Sequence, residues 1–545
     1  MNVNNSKIES FAPEYFKFEK LPQDIQVKIM SLMKLGDLAL HAQVNKLFNR
    51  IAQLAIGNIV KASKGEQAAL DLAKYASQGN LRNVDLLLSV KGFSATTTFE
   101  WIQNVNYKMP PYYLLIQAFH SKNSKLIKTV LDKPEIKEAL DSLPLGSNDR
   151  RKNLCNMLEA RFNSLVIEED IETFKNLIPL LKPTLTAANE HNHAAYYKIM
   201  KSLTHLACRN NQPEMLQEIL KVASGEYVLT YTPPTNHDSV ELCPPSHIRL
   251  FVEAAQLGHK EIIELLLDQT YIQNCLLQCL DPKKKMFDSL HEVLDTASYE
   301  ISDLILKKLK TVPSAQDLEN IELLNKLKFD TTTGFQWSNN STRVVPYYPL
   351  TLAFHSGDSK RIKDLLDDPA IKATLKSIPQ NYNRDRINLY KMLEARFNSL
   401  VIKGDIEKFE ELISLLEVTL LAAKYDSSSK FEIMRSLAYL ACTNNQPKIL
   451  KKILEVAQGD YILSYSPPTT DLFFQNKNRL LVEAAQLGHK EVLKVLLDQT
   501  YIQSCLFECL DYKKKGFCSL YEILETASYE ISNLILKKTL SLRSK

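Results

Sequence analysis

The sequence predicts an all-α protein: a short three-helix unit at the N-terminus, followed by a duplicated α-solenoid. Three observations carry this. Apolar residues recur at i, i+3 and i+4 along most of the 545 residues, the spacing of amphipathic helices. Long stretches of sequence return once, about 230–235 positions later. Glycine is scarce, 14 in 545, which disfavours tightly turned all-β folds and glycine-rich phosphate loops.

Composition narrows the function classes. Sixty-seven basic and 63 acidic side chains leave a formal charge of +4, too balanced for a dedicated nucleic-acid binder. Apolar residues make up 45%, enough for packed cores. The opening MNVNNSKIESFAPEYF has no apolar core of a secretion signal. No apolar stretch reaches the ~20 residues that span a bilayer. The nine cysteines are an odd number and read as reduced, mostly buried thiols of a cytoplasmic protein.

After a tail over residues 1–19, residues 20–65 form the first unit, with a linker helix at its end. LPQDIQVKIMSLMKLGDLALHAQVNKLF (21–48) reads as three short helices. Pro22 suits a first helical position, with Asp24 favourable in the first turn. Gly36 breaks the chain, Asp37 caps the next helix and Asn45 caps a third. Leu21, Ile25, Ile29, Leu38 and Val44 belong to an apolar set too large for so small a unit to bury alone, so a neighbour must cover the surplus. This stretch resembles an F-box: Leu21-Pro22, Asp24, Ile29, Met33, Asp37-Leu38, Val44, Lys46 and an aromatic at 48 stand at the family's spacing, with Phe48 where the family commonly has Trp. The resemblance implies docking to a Skp-type adaptor and, through it, to a cullin–RING ubiquitin ligase. The adaptor-binding residues would be Leu21, Pro22, Ile25, Ile29, Leu38 and Val44. The bottom-up alternative is a helical cap on the solenoid.

Residues 66–310 and 311–545 form the tandem duplication. RLFVEAAQLGHKEIIELLLDQTYIQNCLLQCLD (249–281) returns as RLLVEAAQLGHKEVLKVLLDQTYIQSCLFECLD (479–511), and MLEARFNSLVI (157–167) returns at 392–402. Inside each half a smaller beat recurs about every 42–47 residues: a short helix with small residues, a tight turn, and a helix ending in Leu pairs. Gly79, Gly258, Gly357, Gly404 and Gly488 fall at the turn, where a helix needs a left-handed C′ residue. Asn210-Asn211 and Asn444-Asn445 take that place in another module, and Lys122 and Glu169 stand there in two more. Ala254, Ala255, Ala484 and Ala485 allow close helix approach. VEAAQLGHKEIIELLLD and PLTLAF resemble the ankyrin repeat. That family's period is about 33 residues, so the extra residues here are expected in the connections. About six degenerate modules per half are expected. The competing fold is another α-solenoid, of the TPR or HEAT kind.

Other constellations read as structural. PPYY (110–113) fits a WW-domain ligand, but its counterpart is VPYY (345–348), and both lead into a helix. CLLQC and CLFEC offer two thiols where zinc wants four ligands, so no metal and no cofactor is assigned. KKK at 283–285 and 513–515 reads as a solvated tip. His259 and His489 sit at turns. No phosphate-loop, zincin, nucleophile-elbow or kinase motif is present, and no residue is assigned as catalytic. The long insertions stand apart. Residues 231–247 and 465–478 precede the best-formed module of each half, and 99–113 and 335–349 hold both tryptophans. Trp101, Tyr112, Tyr113, Trp337, Tyr347 and Tyr348 are candidate target-binding anchors; equally, they pack long hairpins onto their own helices.

Together these resemblances imply a non-catalytic adaptor that recruits a target protein to a Skp–cullin–F-box ligase. An F-box ahead of ankyrin repeats is similar to secreted effectors of intracellular bacteria such as Legionella, which would place the chain in a host cytosol. The alternative is a scaffold that binds or masks a partner protein, with the N-terminus as a solenoid cap. No nucleic acid and no direct membrane insertion are expected.

Overall fold

Two helices joined by a tight turn form the unit that builds nearly all of the described chain. The computed structural model describes residues 66–89, 93–97, 109–143, 149–188, 193–223, 225–229, 248–279, 296–309, 336–338, 342–343, 347–378, 384–425, 427–457, 460–463, 479–509 and 517–543, with single positions 22, 23, 26, 27, 30, 54, 55 and 293. By its internal contacts the chain divides into two compact units, residues 1–136 and 137–545. The duplication boundary at 310/311 is a feature of sequence; compactness divides the chain elsewhere.

In the first unit, α1 (Glu66–Ser77) and α2 (Leu81–Leu88) make one module, and α3 (Tyr113–His120) and α4 (Ser124–Leu131) the next. Helix α1 packs on both α2 and α3. Gly79 turns the first module with φ +70°. Asn123 caps α4, accepting from Leu126 N, and its amide donates to Gly79 O at 3.1 Å. One side chain thus starts a helix and ties adjacent turns together.

Helix α5 (Pro134–Asp141) spans the division. The second unit then runs α6 (Asp149–Ile167), α7 (Ile171–Ala188), α8 (His193–Arg209), α9 (Pro213–Val222), α10 (Gly225–Leu229), α11 (Arg249–Leu257), α12 (Lys260–Leu267), α13 (Thr270–Cys279) and α14 (Tyr299–Leu309). A two-stranded antiparallel hairpin follows, β1 (Gln336–Ser338) with β2 (Thr342–Arg343), pairing Gln336 with Arg343. It is the one departure from helix among the described elements. The second half repeats the order: α15 (Tyr348–Ser356), α16 (Ser359–Asp367), α17 (Pro369–Ser377), α18 (Arg384–Lys403), α19 (Ile406–Ala422), α20 (Ser427–Thr443), α21 (Pro447–Val456), α22 (Asp460–Leu463), α23 (Arg479–Leu487), α24 (Lys490–Leu497), α25 (Thr500–Cys509), α26 (Phe517–Thr526) and α27 (Tyr529–Arg543).

The turns fall where the sequence puts them. Gly258, Gly357, Gly404 and Gly488 have φ between +67° and +82°, and Lys122, Glu169, Asn211 and Asn445 take the same left-handed conformation. The extra length is placed differently from expectation. It lies partly in added helices (α5, α10, α13 and α17), but also inside the modules: α6, α7, α8, α18, α19 and α20 are 17–20 residues long. Helix α7 even runs through Pro179 and Pro183.

The larger surprise is closure. Within residues 137–545 the first helices of the modules pack in the order α6, α8, α11, α18, α20, α23, and α23 returns to α6. Helix α26 also packs on α6 and α23. The two halves make the same contact twice, α11 on α18 and α23 on α6, between helices of nearly identical sequence. Six helices therefore close into a ring with an internal twofold repeat. The fully buried Ala254, Ala255, Ala484 and Ala485 lie on the two helices that reach across. Outside the ring, α7, α9, α12 and α14 form one belt of successive contacts, and α16, α19, α21, α24 and α27 the other. The core between the layers is aliphatic, with Ile262, Ile263 and Leu266 and their counterparts Val492, Leu493 and Leu496 fully buried.

Candidate interaction surfaces

Polar groups inside the ring come from equivalent positions on its helices. On α11, Glu253 receives His205 Nε2 at 2.7 Å and faces Arg209 Nε at 3.4 Å. Burial opposes its charge, but His205, Arg209 and Arg249 outweigh burial and hold its carboxyl well below the usual range. At the equivalent place on α23, Glu483 pairs with Arg479, which also stands 3.7 Å from Glu522 of α26. Burial pushes the Glu522 carboxyl up, and Arg479 offsets part of that. Glu159 of α6 faces Lys198 and Ser202 of α8 and the Glu483–Arg479 pair of α23. Burial raises its carboxyl too, with Lys198 and the Ser202 hydroxyl only partly compensating. The lining is thus charged but internally paired, and its partners are other ring helices.

The same face explains the turn histidines. His259 and His489 are buried, and each Nδ1–H donates to the previous module's turn, at Cys208 O (2.9 Å) and Cys442 O (2.8 Å). His355 Nε2 reaches Thr296 O at 2.8 Å in the same way. Burial pushes all three imidazoles below their usual value. Their role is structural. Burial likewise pushes the Cys208 and Cys442 thiols up, so they are inert. Cys275 and Cys505, the first thiols of CLLQC and CLFEC, are buried. Among the described residues no three His, Cys, Asp or Glu side chains converge as a metal site.

The candidate anchors separate. Tyr112, Tyr113 and Tyr347 are 0%, 4% and 2% exposed, so they pack the start of their own helices and present no ring to a partner. Of the two readings open in the sequence, their burial speaks against the surface-anchor one for these three. Tyr348 opens α15 and Trp337 stands on β1; Trp101 lies outside the described residues. Of the candidate adaptor-binding residues, Pro22 is exposed, while Leu21, Ile25, Ile29, Leu38 and Val44 lie outside the described residues. Gln23, Gln26, Val27 and Met30 are helical, and Gln26, Val27 and Met30 are buried. The insertions 231–247 and 465–478 and the KKK tips also lie outside the described residues.

Two surfaces were not singled out by the sequence. One is aromatic. Tyr196, Tyr197 and Tyr227 pack in succession, edge-to-face and then tilted, with ring centroids 5.5 and 4.5 Å apart, and Lys201 Nζ lies 3.9 Å from the centroid of the exposed Tyr227 ring. Their distance in sequence, across α8, α9 and α10, hid the cluster. The other is the pair of outer belts. Residues 137–310 carry 19 basic and 24 acidic side chains, whereas the equivalent residues 372–540 carry 23 and 20, so the two copies have drifted to opposite sign. The drift is visible only when the copies are aligned position by position.

Among the described residues no helix is long and apolar enough to cross a membrane. In comparisons with known proteins, no protein family matches the chain, and no characterised protein matches it significantly.

Proposed function

We infer that the chain is a non-catalytic adaptor: its N-terminal segment docks on a Skp-type adaptor of a cullin–RING ligase, and its helical repeats hold a target protein for ubiquitination. The observation that carries this reading is the F-box-like run from Leu21 to Phe48 ahead of a helical repeat array, with Pro22 exposed and the helical Gln26, Val27 and Met30 buried. Ubiquitin transfer would then follow from proximity, which turns a bimolecular encounter into a near-intramolecular one. Closure of the ring changes where a target would sit. The charged lining is satisfied by ring partners, so target contacts belong on the outer belts, the turns or the insertions. The reading extends to a bacterial effector acting on host proteins in the host cytosol.

A pull-down of a purified Skp-type adaptor and cullin tests it. Binding by the wild type, lost in Leu21→Ala/Pro22→Ala with unchanged circular dichroism, supports the ligase reading. No binding by the wild type leaves a protein-binding scaffold whose N-terminal segment caps the repeats.

A further inference from the structure

We propose that two copies of this chain associate through their outer belts, the basic α21–α24 face of one against the acidic α9–α12 face of the other. The duplication supplies its own control. Along α9 and α21 the buried positions keep their character: Met215, Leu216 and Ile219 correspond to Ile449, Leu450 and Ile453. The outward positions change sign: Glu214 becomes Lys448, Glu218 becomes Lys452, Lys221 becomes Glu455, and on the next helix Glu264 becomes Lys494.

One of these reversals is balanced within the chain. Lys175 of α7 stands 4.0 Å from Glu218 of α9; in the second half Glu410 and Lys452 stand 3.5 Å apart, with the charges exchanged. Changing both partners preserves the ion pair. Lys221 also pairs with Glu218 at 2.7 Å and Lys494 with Glu491 at 2.6 Å, so those two positions are balanced locally, and the unbalanced charges are the remaining ones. Lys448 and Lys451 are exposed one turn apart on α21, Glu214 and Glu264 are exposed on α9 and α12 of the other belt, and no ion pair holds any of the four among the described residues. Adjacent like charges on a helix are mildly unfavourable without an outside partner.

The complementary faces cannot meet inside one chain. Helices α9 and α12 lie outside α8 and α11, and α21 and α24 lie outside α20 and α23. In a six-helix ring those are opposite sides. The acidic face also offers relief: an open groove between α9 and α12 is lined by Gln217, Leu220, Lys221, Leu265 and Gln269. Lysine stems from the facing belt can lie on Leu220 and Leu265 while their ammonium groups reach Glu214 and Glu264. The contact is heterologous, each copy using a different face, so association proceeds stepwise and leaves one face of each kind free.

Sedimentation or light scattering of the full chain tests this. The mass average rises above 62.2 kDa with concentration at about 50 mM salt and returns to it at about 500 mM, because exposed charges are then screened. Lys448→Glu/Lys451→Glu makes both faces acidic, and Glu214→Lys/Glu264→Lys makes both basic. Each variant alone self-associates about tenfold to a hundredfold more weakly than wild type. Mixed together, the two variants associate with each other. All four positions are exposed, and circular dichroism checks that the fold is kept. A wild type that stays monomeric at low salt overturns the proposal, as does association that the variants leave unchanged or a mixture no stronger than its components.

Discussion

Asn153 donates from its side-chain amide to the Glu525 carboxylate, a residue 372 positions further along the chain. Arg150 Nε stands 3.8 Å from the other oxygen of the same carboxylate. This contact joins α26 to α6 and is part of the seam where the ring closes. Glu525 is 1% exposed and Arg150 41%.

That asymmetry predicts unequal effects. Glu525→Ala removes a buried acceptor and leaves the half-buried Asn153 amide without it, so it should cost about 1–3 kcal/mol. Arg150→Ala removes a half-exposed partner and should cost no more than about 1 kcal/mol. Urea unfolding of both variants checks this. Equal costs would show that the seam is held by its apolar contacts alone.

The turns predict changes of both signs. Glu169 holds φ +57°, a conformation that disfavours any residue with a Cβ. Glu169→Gly should stabilise by about 0.5–1 kcal/mol. Its counterpart Gly404 holds φ +67°, and an added Cβ there would come within 2.9 Å of Gln446 Oε1. Gly258 has the same backbone but open space around it. Gly404→Ala should therefore cost more than Gly258→Ala, itself about 1 kcal/mol. Thermal unfolding of the three variants separates backbone strain from crowding.

These turns were legible in the sequence because the left-handed requirement is local: one residue ends one helix. Helix periodicity and the duplication were legible for the same reason. Closure was not. It depends on small rotations summed over many modules, and neither MLEARFNSLVI nor RLLVEAAQLGH says that its Glu will face a helix from the other half. Glu159 shows the gap: it sits in a repeated amphipathic stretch, yet its neighbours Arg479 and Glu483 lie more than half the chain away. The aromatic segments were ambiguous for a different reason. Tyr serves equally as a surface anchor and as a core residue with a polar tip, and composition cannot choose.

Burial of Tyr112 and Tyr347 makes that choice testable. Replacing either by Ala removes a ring from a fully packed site and should cost about 3–5 kcal/mol. The Phe variants keep the ring and should cost no more than about 1 kcal/mol. Denaturant midpoints measure both. An Ala variant with unchanged stability would return these residues to the surface-anchor reading.

Acid should act on the fold in two opposing ways. His259, His355 and His489 have their pKa values lowered chiefly by burial, so the unfolded chain takes up protons at a higher pH than the folded one. The stability tied to them is whole above their unfolded value of about 6.5 and is lost as pH falls through it. Glu159 has the reverse sign. Burial raises its pKa, so the folded chain binds its proton first, and the cost of holding it charged is full at neutral pH and disappears in acid. Glu159→Gln removes that cost while keeping an oxygen that can accept from the Ser202 hydroxyl. The variant should therefore be more stable than wild type at about pH 7.5, with the gain shrinking as pH falls through the raised pKa and the wild-type carboxyl protonates. Its stability should also fall more steeply over that range, because the histidine effect is no longer offset. Urea midpoints at several pH values measure both slopes. A gain that is constant across pH would mean that folding does not raise the Glu159 pKa.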